Sequence, residues 1–344
     1  MRGWVALDFN VGSPLTHAHA SPAVAYPSDR LASYCGSCAG ARVLVSLQLW
    51  SPAAYEYPLP PGHRFPITKY GLLKDRTLSR GLAIASQIHD PPLATEHELL
   101  RVHDDTYVRA LREGTLSNAA VRRLGFPWSA ALVARAARAV GGTIAAARHA
   151  MVHGIAMNLA GGTHHAFAAH GEGFCVFNDV AVAIRALRID GLATRVAVID
   201  LDVHQGNGTH DIFQDDDTVY TFSMHGAKNY PFRKVAGTLD IALDDGTTDE
   251  PYLSLLAEAL PRVLREARAD MIFYLAGADP HAGDSLGRLS LTFDGLRRRD
   301  RMVLSQCREV GLPVTIVIAG GYGRNIDDTV EVHLGTVDIA RDFA

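Results

Sequence analysis

The sequence predicts an α/β fold: a parallel sheet buried between layers of helix. Two observations predict it. Short, wholly apolar runs recur along the chain, separated by segments of helical character, and nearly every run ends in glycine or an ionisable residue. Strands apolar on both faces belong to sheets covered on both sides, and helical crossovers join such strands in parallel. In chain order, VLVSLQLW (43–50) reads as a first buried strand. Helices are expected from Ser79 to Ile88 and over the alanine-rich run Ser129 to His149. Strands follow in IAMNLAGG (155–162), RVAVIDLD (195–202), TVYTFSMH (218–225), MIFYLAGAD (271–279) and PVTIVIAGG (313–321). Ligand sites in such sheets lie beyond the carboxyl ends of the strands, so the residues just after each run are the ones to examine.

Composition narrows the classes. Hydrophobic residues make up 48% of the 344 and charged ones 20%, enough for a large buried core. A net charge of −4 gives no basic field, which argues against nucleic acid as a partner. The run Arg297-Arg298-Arg299-Asp300-Arg301 is read as the solvated face of a helix. Four scattered cysteines make no disulfide framework, and a reducing cytoplasm is the expected location. No run of about 18 apolar residues free of charge suggests a membrane span, and the N-terminus does not read as a signal peptide. Residues 1–42, rich in Ala, Ser, Pro and Gly, are expected to form a disordered extension, with Cys35 and Cys38 inside it assigned no chemistry. Residues 43–344 form the expected catalytic domain.

The chemistry gathers at the strand ends. In Asp200-Leu201-Asp202-Val203-His204, alternation along a strand points residues 200, 202 and 204 to one face. Three ionisable groups there are costly to bury unless they hold a cation, and carboxylate with imidazole suits a divalent metal. The bland alternative is a strand end with solvated acids. Asp279 ends another apolar run; with Asp202 and His204 it makes three protein ligands, the count of a catalytic rather than a closed structural site. After Gly161-Gly162 come His164 and His165, metal ligands or an acid–base pair. Tyr322, on the glycine-rich turn 320–323, offers a phenol suited to a developing oxyanion, or simply a half-buried ring at a strand exit.

Taken together, GGTHHAF, GEGFCVFND, DLDVHQGNGT, AGADPHAGDSLGRLSLT and IAGGYG resemble the signature blocks of the zinc-dependent histone deacetylases, in the family's order and spacing. The resemblance runs from about residue 43 to the C-terminus, including YPLPPGHRFPITKY (57–70). Gln205, Asn207 and the short chain point to class IV and its bacterial relatives. It implies the arginase/deacetylase fold, an eight-stranded parallel sheet in a three-layer domain, and hydrolysis of N-ε-acyl-lysine in proteins or peptides. Acetylpolyamines and other small acylated amines are the alternative substrates. By the same resemblance, Asp202, His204 and Asp279 hold Zn2+, with Fe2+ acceptable to the same donors. His165 is then the general base and later acid, His164 orients the water, Asp200 steadies His164, and Tyr322 receives the oxyanion. Asn207 stands where many relatives carry Asp; a neutral amide stabilises an imidazolium less and keeps His165 a base. Gly173 and Phe174 correspond to a wall of the acyl-lysine tunnel, Leu286 to a residue further along it, and Asp105 to a rim acid, with Asp104 beside it a competing choice. A structural K+ is implied at Asp200, Asp202, His204, Ser223 and Met224.

Overall fold

The computed structural model describes residues 46–344, so the expectations for residues 1–42 and for the pair Cys35 and Cys38 lie outside the described residues. Eight strands form one sheet: β1 (Leu49–Trp50), β2 (Ile88–His89), β3 (Ile155–Asn158), β4 (Val196–Asp200), β5 (Val219–Gly226), β6 (Leu239–Leu243), β7 (Met271–Leu275) and β8 (Val314–Val317). Their spatial order is β2-β1-β3-β8-β7-β4-β5-β6, and every pairing is parallel. Ten helices connect or flank them: α1 (Lys69–Ser79), α2 (Glu96–Leu99), α3 (Asp105–Glu113), α4 (Asn118–Leu124), α5 (Ala130–His153), α6 (Asp179–Ile189), α7 (Asn207–Phe213), α8 (Asp249–Ala267), α9 (Phe293–Glu309) and α10 (Ile326–Arg341).

Alternation within the strands builds the three layers. Ala197 and Ile199 of β4, with Ile272 and Tyr274 of β7, face α8, α9 and α10. Val196 and Val198, with Met271, Phe273 and Leu275, face α5 and α6. Both faces are buried, which is why these strands read as unbroken apolar runs. Helix α5 is apolar and long enough to span a bilayer by composition alone, but it is a core helix, packed along α6 and β3.

Three expectations need correction. The helix placed at Ser79–Ile88 lies one segment earlier: α1 buries Tyr70, Leu73 and Thr77 and stops at Ser79, and Gly81 follows in the left-handed region at φ 65°. The first strand pairs only at Leu49–Trp50, while Leu47 is buried without pairing. Arg299 is not on a solvated face. Its neighbours Arg297, Arg298 and Arg301 reach surface acids, but Arg299 is wholly buried, where it pairs with Asp300 and donates to the carbonyls of Gly277 at 2.7 Å and Leu201 at 3.3 Å. The helical phase that buries Leu296, Val303 and Cys307 carries Arg299 inward with them.

Topology brings the strand ends together. After β3 the chain crosses over to β4, leaving a gap that β7 and β8 later fill, so β3, β8, β7 and β4 become neighbours. Their carboxyl ends, at Asn158, Val317, Leu275 and Asp200, open into the four segments that hold the candidate site residues.

Candidate active site

Beyond β4, Asp202 and His204 turn toward Asp279, which follows β7; their ligand atoms lie within 4.8 Å of one another. His204 Nδ1 is 2.9 Å from Asp202 Oδ1 and 3.2 Å from Asp279 Oδ2. Backbone amides hold the carboxylates in place. His204 N–H donates to Asp202 Oδ1 at 2.9 Å, Gly320 N–H to Asp202 Oδ2 at 2.7 Å, and Val203 N–H to Asp279 Oδ1 at 2.9 Å. That leaves Asp279 Oδ2 buried with no hydrogen-bond donor. A buried, partnerless carboxylate oxygen beside a second carboxylate and an imidazole is a donor set that fits a divalent cation. The backbone fits too: a Cβ on Gly320 would stand 2.0 Å from Asp279 Oδ2 and 2.6 Å from Asp202 Oδ2, so no other residue can sit behind the cluster without moving it.

Protein groups alone leave the cluster electrostatically strained. Burial disfavours charge on His204, yet its contacts with Asp202 and Asp279 outweigh that and raise its pKa to about 10. Burial, with the neighbouring charge of Asp202, pushes Asp279 up to about 7. Two carboxylates sharing one small volume retain a proton unless a cation takes its place.

The paired histidines, held on the loop after β3, differ from each other. His164 donates from Nδ1 to Asp200 Oδ2 at 2.6 Å; burial opposes its charge, but Asp200 and Asp202 outweigh burial and bring its pKa to about 9. His165 Nδ1 donates to Asn207 Oδ1 at 2.7 Å. Burial, then repulsion from His164 and His204, lowers its pKa well below the usual imidazole value, and the amide of Asn207 offsets little of this. The same environment therefore holds one imidazole charged and its neighbour neutral, with Nε2 of His165 carrying a free lone pair.

A third partner fixes that assignment. Asn207 Nδ2 donates to Glu172 Oε1 at 2.7 Å, and Tyr230 O–H donates to the same oxygen at 2.8 Å. The Asn207 amide thus turns its oxygen, not its nitrogen, toward His165. Glu172 and Tyr230 were not singled out from sequence. An acid between glycines and a tyrosine before proline carry no pattern of their own, and only folding sets both beside residue 207.

Aromatic rings line the approach. Phe174 stands 5.9 Å from Tyr322, and Tyr230 meets His165 edge-on at 4.9 Å. Gly173 is required here: its φ is 55°, and a Cβ would stand 2.7 Å from His165 Cδ2. The Tyr322 ring is 6.3 Å from His204, and burial first, then nearby Cys175 and Asp202, raise its pKa well above 10. Asp284, in the loop after β7, is a buried clasp. Its Oδ1 accepts from Leu286 N–H and Gly287 N–H, and its Oδ2 accepts from Tyr322 N–H at 2.6 Å. Lys69, also missed, is buried behind the tyrosine, donating to the carbonyls of Ala319 at 3.3 Å and Gly321 at 3.4 Å.

The remaining expected residues stand further out. Half-buried Leu286 accepts at its carbonyl from Asn229 Nδ2 at 2.8 Å, which joins its loop to the one carrying Tyr230. Asp105 is exposed in the first turn of α3 and pairs with Arg109 at 2.6 Å, while Asp104 occupies the N-cap position of that helix. Ser223 and Met224 are buried on β5, with Ser223 in register with Asp200.

An open carboxylate–imidazole cluster, a neutral histidine beside it and an aromatic approach, all at the carboxyl edge of a parallel sheet, define the class of metal-dependent hydrolases. The comparisons narrow the class. Residues 63–337 match the histone deacetylase domain model, and the chain belongs to that family and is a deacetylase hydrolase with the arginase/deacetylase fold. It is similar to an uncharacterised protein of Picosynechococcus, 49% identical over 84% of this chain and 96% of the other. It also resembles histone deacetylase 2 of Arabidopsis thaliana, 34% identical over 78% of this chain and 73% of the other. The acetoin utilization protein AcuC of Bacillus subtilis is 31% identical over 80% and 77%. Among solved structures, a histone deacetylase homologue complexed with SAHA superposes with a TM-score of 0.76 at 26% identity, over 86% of this chain and 84% of the other.

Proposed function

We propose that this deacetylase removes acetyl or longer acyl groups from N-ε-acyl-lysine in proteins or peptides. The carrying observation is that Asp202, His204, His164, His165 and Tyr322 line one cavity, with the ligand atoms of Asp279 within 4.8 Å of those of Asp202 and His204. Asp202, His204 and Asp279 hold the metal, which we assign as Zn2+, with Fe2+ compatible with the same donors. When bound, it supplies Lewis acidity toward the amide carbonyl and the attacking water.

The chain's own groups do the rest. Nε2 of His165, kept neutral by burial and by repulsion from its histidine neighbours, takes the proton from water and later returns it to the departing amine. His164, charged through Asp200, holds positive charge beside the oxygen atoms as they become anionic. The Tyr322 hydroxyl, too buried to ionise, donates a hydrogen bond to the developing oxyanion. Phe174, next to Gly173, flanks the acyl-lysine stem, with Leu286 further out and Asp105 assigned to gripping the substrate backbone at the rim. A structural K+ at Asp200, Asp202, His204, Ser223 and Met224 belongs to the same reading.

The deciding experiment assays metal-loaded enzyme against acetyl- and myristoyl-lysine peptides and acetylpolyamines. Turnover of the peptides is expected. Hydrolysis of the polyamines alone would overturn the lysine assignment.

A further inference from the structure

The cavity that holds the candidate metal ligands does not end at them. It continues to a second group of lining residues, Tyr57, Tyr70, Leu132, Arg135, Ala136 and Ala139, contributed by α1, α5 and the segment before them. Most of this end is apolar, as an acyl pocket would be. Arg135 is the exception. It is only 7% exposed, and its Nε and one Nη are buried without any hydrogen-bond partner. Among the described residues no carboxylate pairs with it, and its guanidinium lies over the Tyr70 ring at 4.1 Å.

A guanidinium cannot shed its charge, so burying one without an anion is costly, and stacking on a tyrosine offsets only part of that cost. Its planar fork of donors is shaped for a carboxylate. Beyond its reacting carbonyl a succinyl group carries two methylenes and a carboxylate, an apolar stem with a charged end, which matches an apolar lining that holds one guanidinium.

We propose that Arg135 forms a carboxylate subsite at the inner end of this cavity, which selects acyl-lysines whose acyl chain ends in a carboxylate, succinyl above all. The inference rests on the deacylase reading and names its substrate class. No new chemistry is involved: the amide bond breaks as before, and the products are lysine and a dicarboxylate.

The test compares succinyl-lysine with 4-methylpentanoyl-lysine peptides, which match in shape and differ in the charge, on the wild-type enzyme and on Arg135→Met and Arg135→Lys. Wild type should favour the succinyl peptide in kcat/KM by about tenfold or more, as expected for a charge-assisted pair. Arg135→Met should reverse that order while acetyl-lysine turnover changes little, and Arg135→Lys should restore part of it. A merely structural arginine would lower all three substrates together, and that result would overturn the proposal. So would a change confined to inhibition by free acetate, which would make Arg135 a site for the departing product. Calorimetric titration of the same peptides into full-length Tyr322→Phe protein and its Arg135→Met double variant reads binding separately. If no acyl-lysine is hydrolysed, the activity reading fails, while a succinyl preference lost with Arg135 would still uphold the subsite.

Discussion

His165 and His164 are adjacent in sequence and differ in charge state: both are buried, but Asp200 and Asp202 hold His164 charged, while His165 has no carboxylate as its hydrogen-bond partner and stays neutral. Asp200 offers His164 a carboxylate; Asn207 offers His165 only an amide oxygen. Replacing Asn207 by Asp should therefore raise the His165 pKa and move the acid limb of the kcat/KM profile up by about 1–2 units. A pH–rate profile unmoved by Asn207→Asp would remove His165 from the role of base. His165→Ala should abolish hydrolysis while the bound metal, read by elemental analysis, stays in place; lost metal would mean a ligand had been mistaken for a base. Tyr322→Phe should lower kcat by about 10²–10³ with metal content unchanged, the usual cost of an oxyanion donor. Residues of this kind were legible because each is chemically conspicuous at a strand end. Glu172 and Tyr230 were not, since their importance lies in contacts with residues 35 and 58 positions apart, which no local pattern encodes.

Elements show the same division. The central strands were readable because burial on both faces leaves only apolar residues in them. The edges were not: β2 has two residues, and β6 alternates exposed and half-buried positions with Asp240 inside it. The loop that closes against α3 illustrates a stability consequence. His103 is buried, donating from Nδ1 to the Phe167 carbonyl at 3.0 Å and accepting at Nε2 from Asn178 N–H at 3.0 Å. A second ring proton would face that N–H, and burial lowers the His103 pKa to about 4. The unfolded chain takes up this proton near pH 6.5, so the contribution is complete above that and is lost as the pH falls toward 4. Over that window it amounts to about 3 kcal/mol as an order of magnitude. Denaturant titrations at pH 7.5 and 5 should show His103→Gln less stable than wild type at the higher pH, with the gap narrowing at the lower. A gap that widened on acidification would contradict this tautomer.

For the molecule as a whole, the cluster of Asp202, His204 and Asp279 is a place where the fold stores unfavourable electrostatics. Asp202, His204 and Asp279 are brought together only in the folded chain, so a bound divalent ion should stabilise it by mass action, by about 4 kcal/mol at a thousandfold excess over Kd. Stripping the metal with a chelator should lower the melting temperature, and Zn2+ should restore it; an unchanged midpoint would mean the cluster holds no ion. Arg299 supports the same region from behind through the carbonyls of Leu201, one residue before Asp202, and Gly277, two before Asp279. Arg299→Met should strand Asp300 and cost about 3–5 kcal/mol, visible as a lower denaturation midpoint.

The chain's order of apolar runs, and the acids, histidines and tyrosine that end them, were enough to specify a parallel sheet and a list of candidate reacting groups, because strand burial and side-chain chemistry are local properties. Convergence was not local. That β7 and β8 slot between β3 and β4, that Asn207 presents its oxygen rather than its nitrogen, and that Arg299 and Arg135 lie inside rather than in water follow from packing between segments distant in the chain. Whether a charged side chain is a solvated surface group or a buried recognition element depends on what the rest of the molecule places around it.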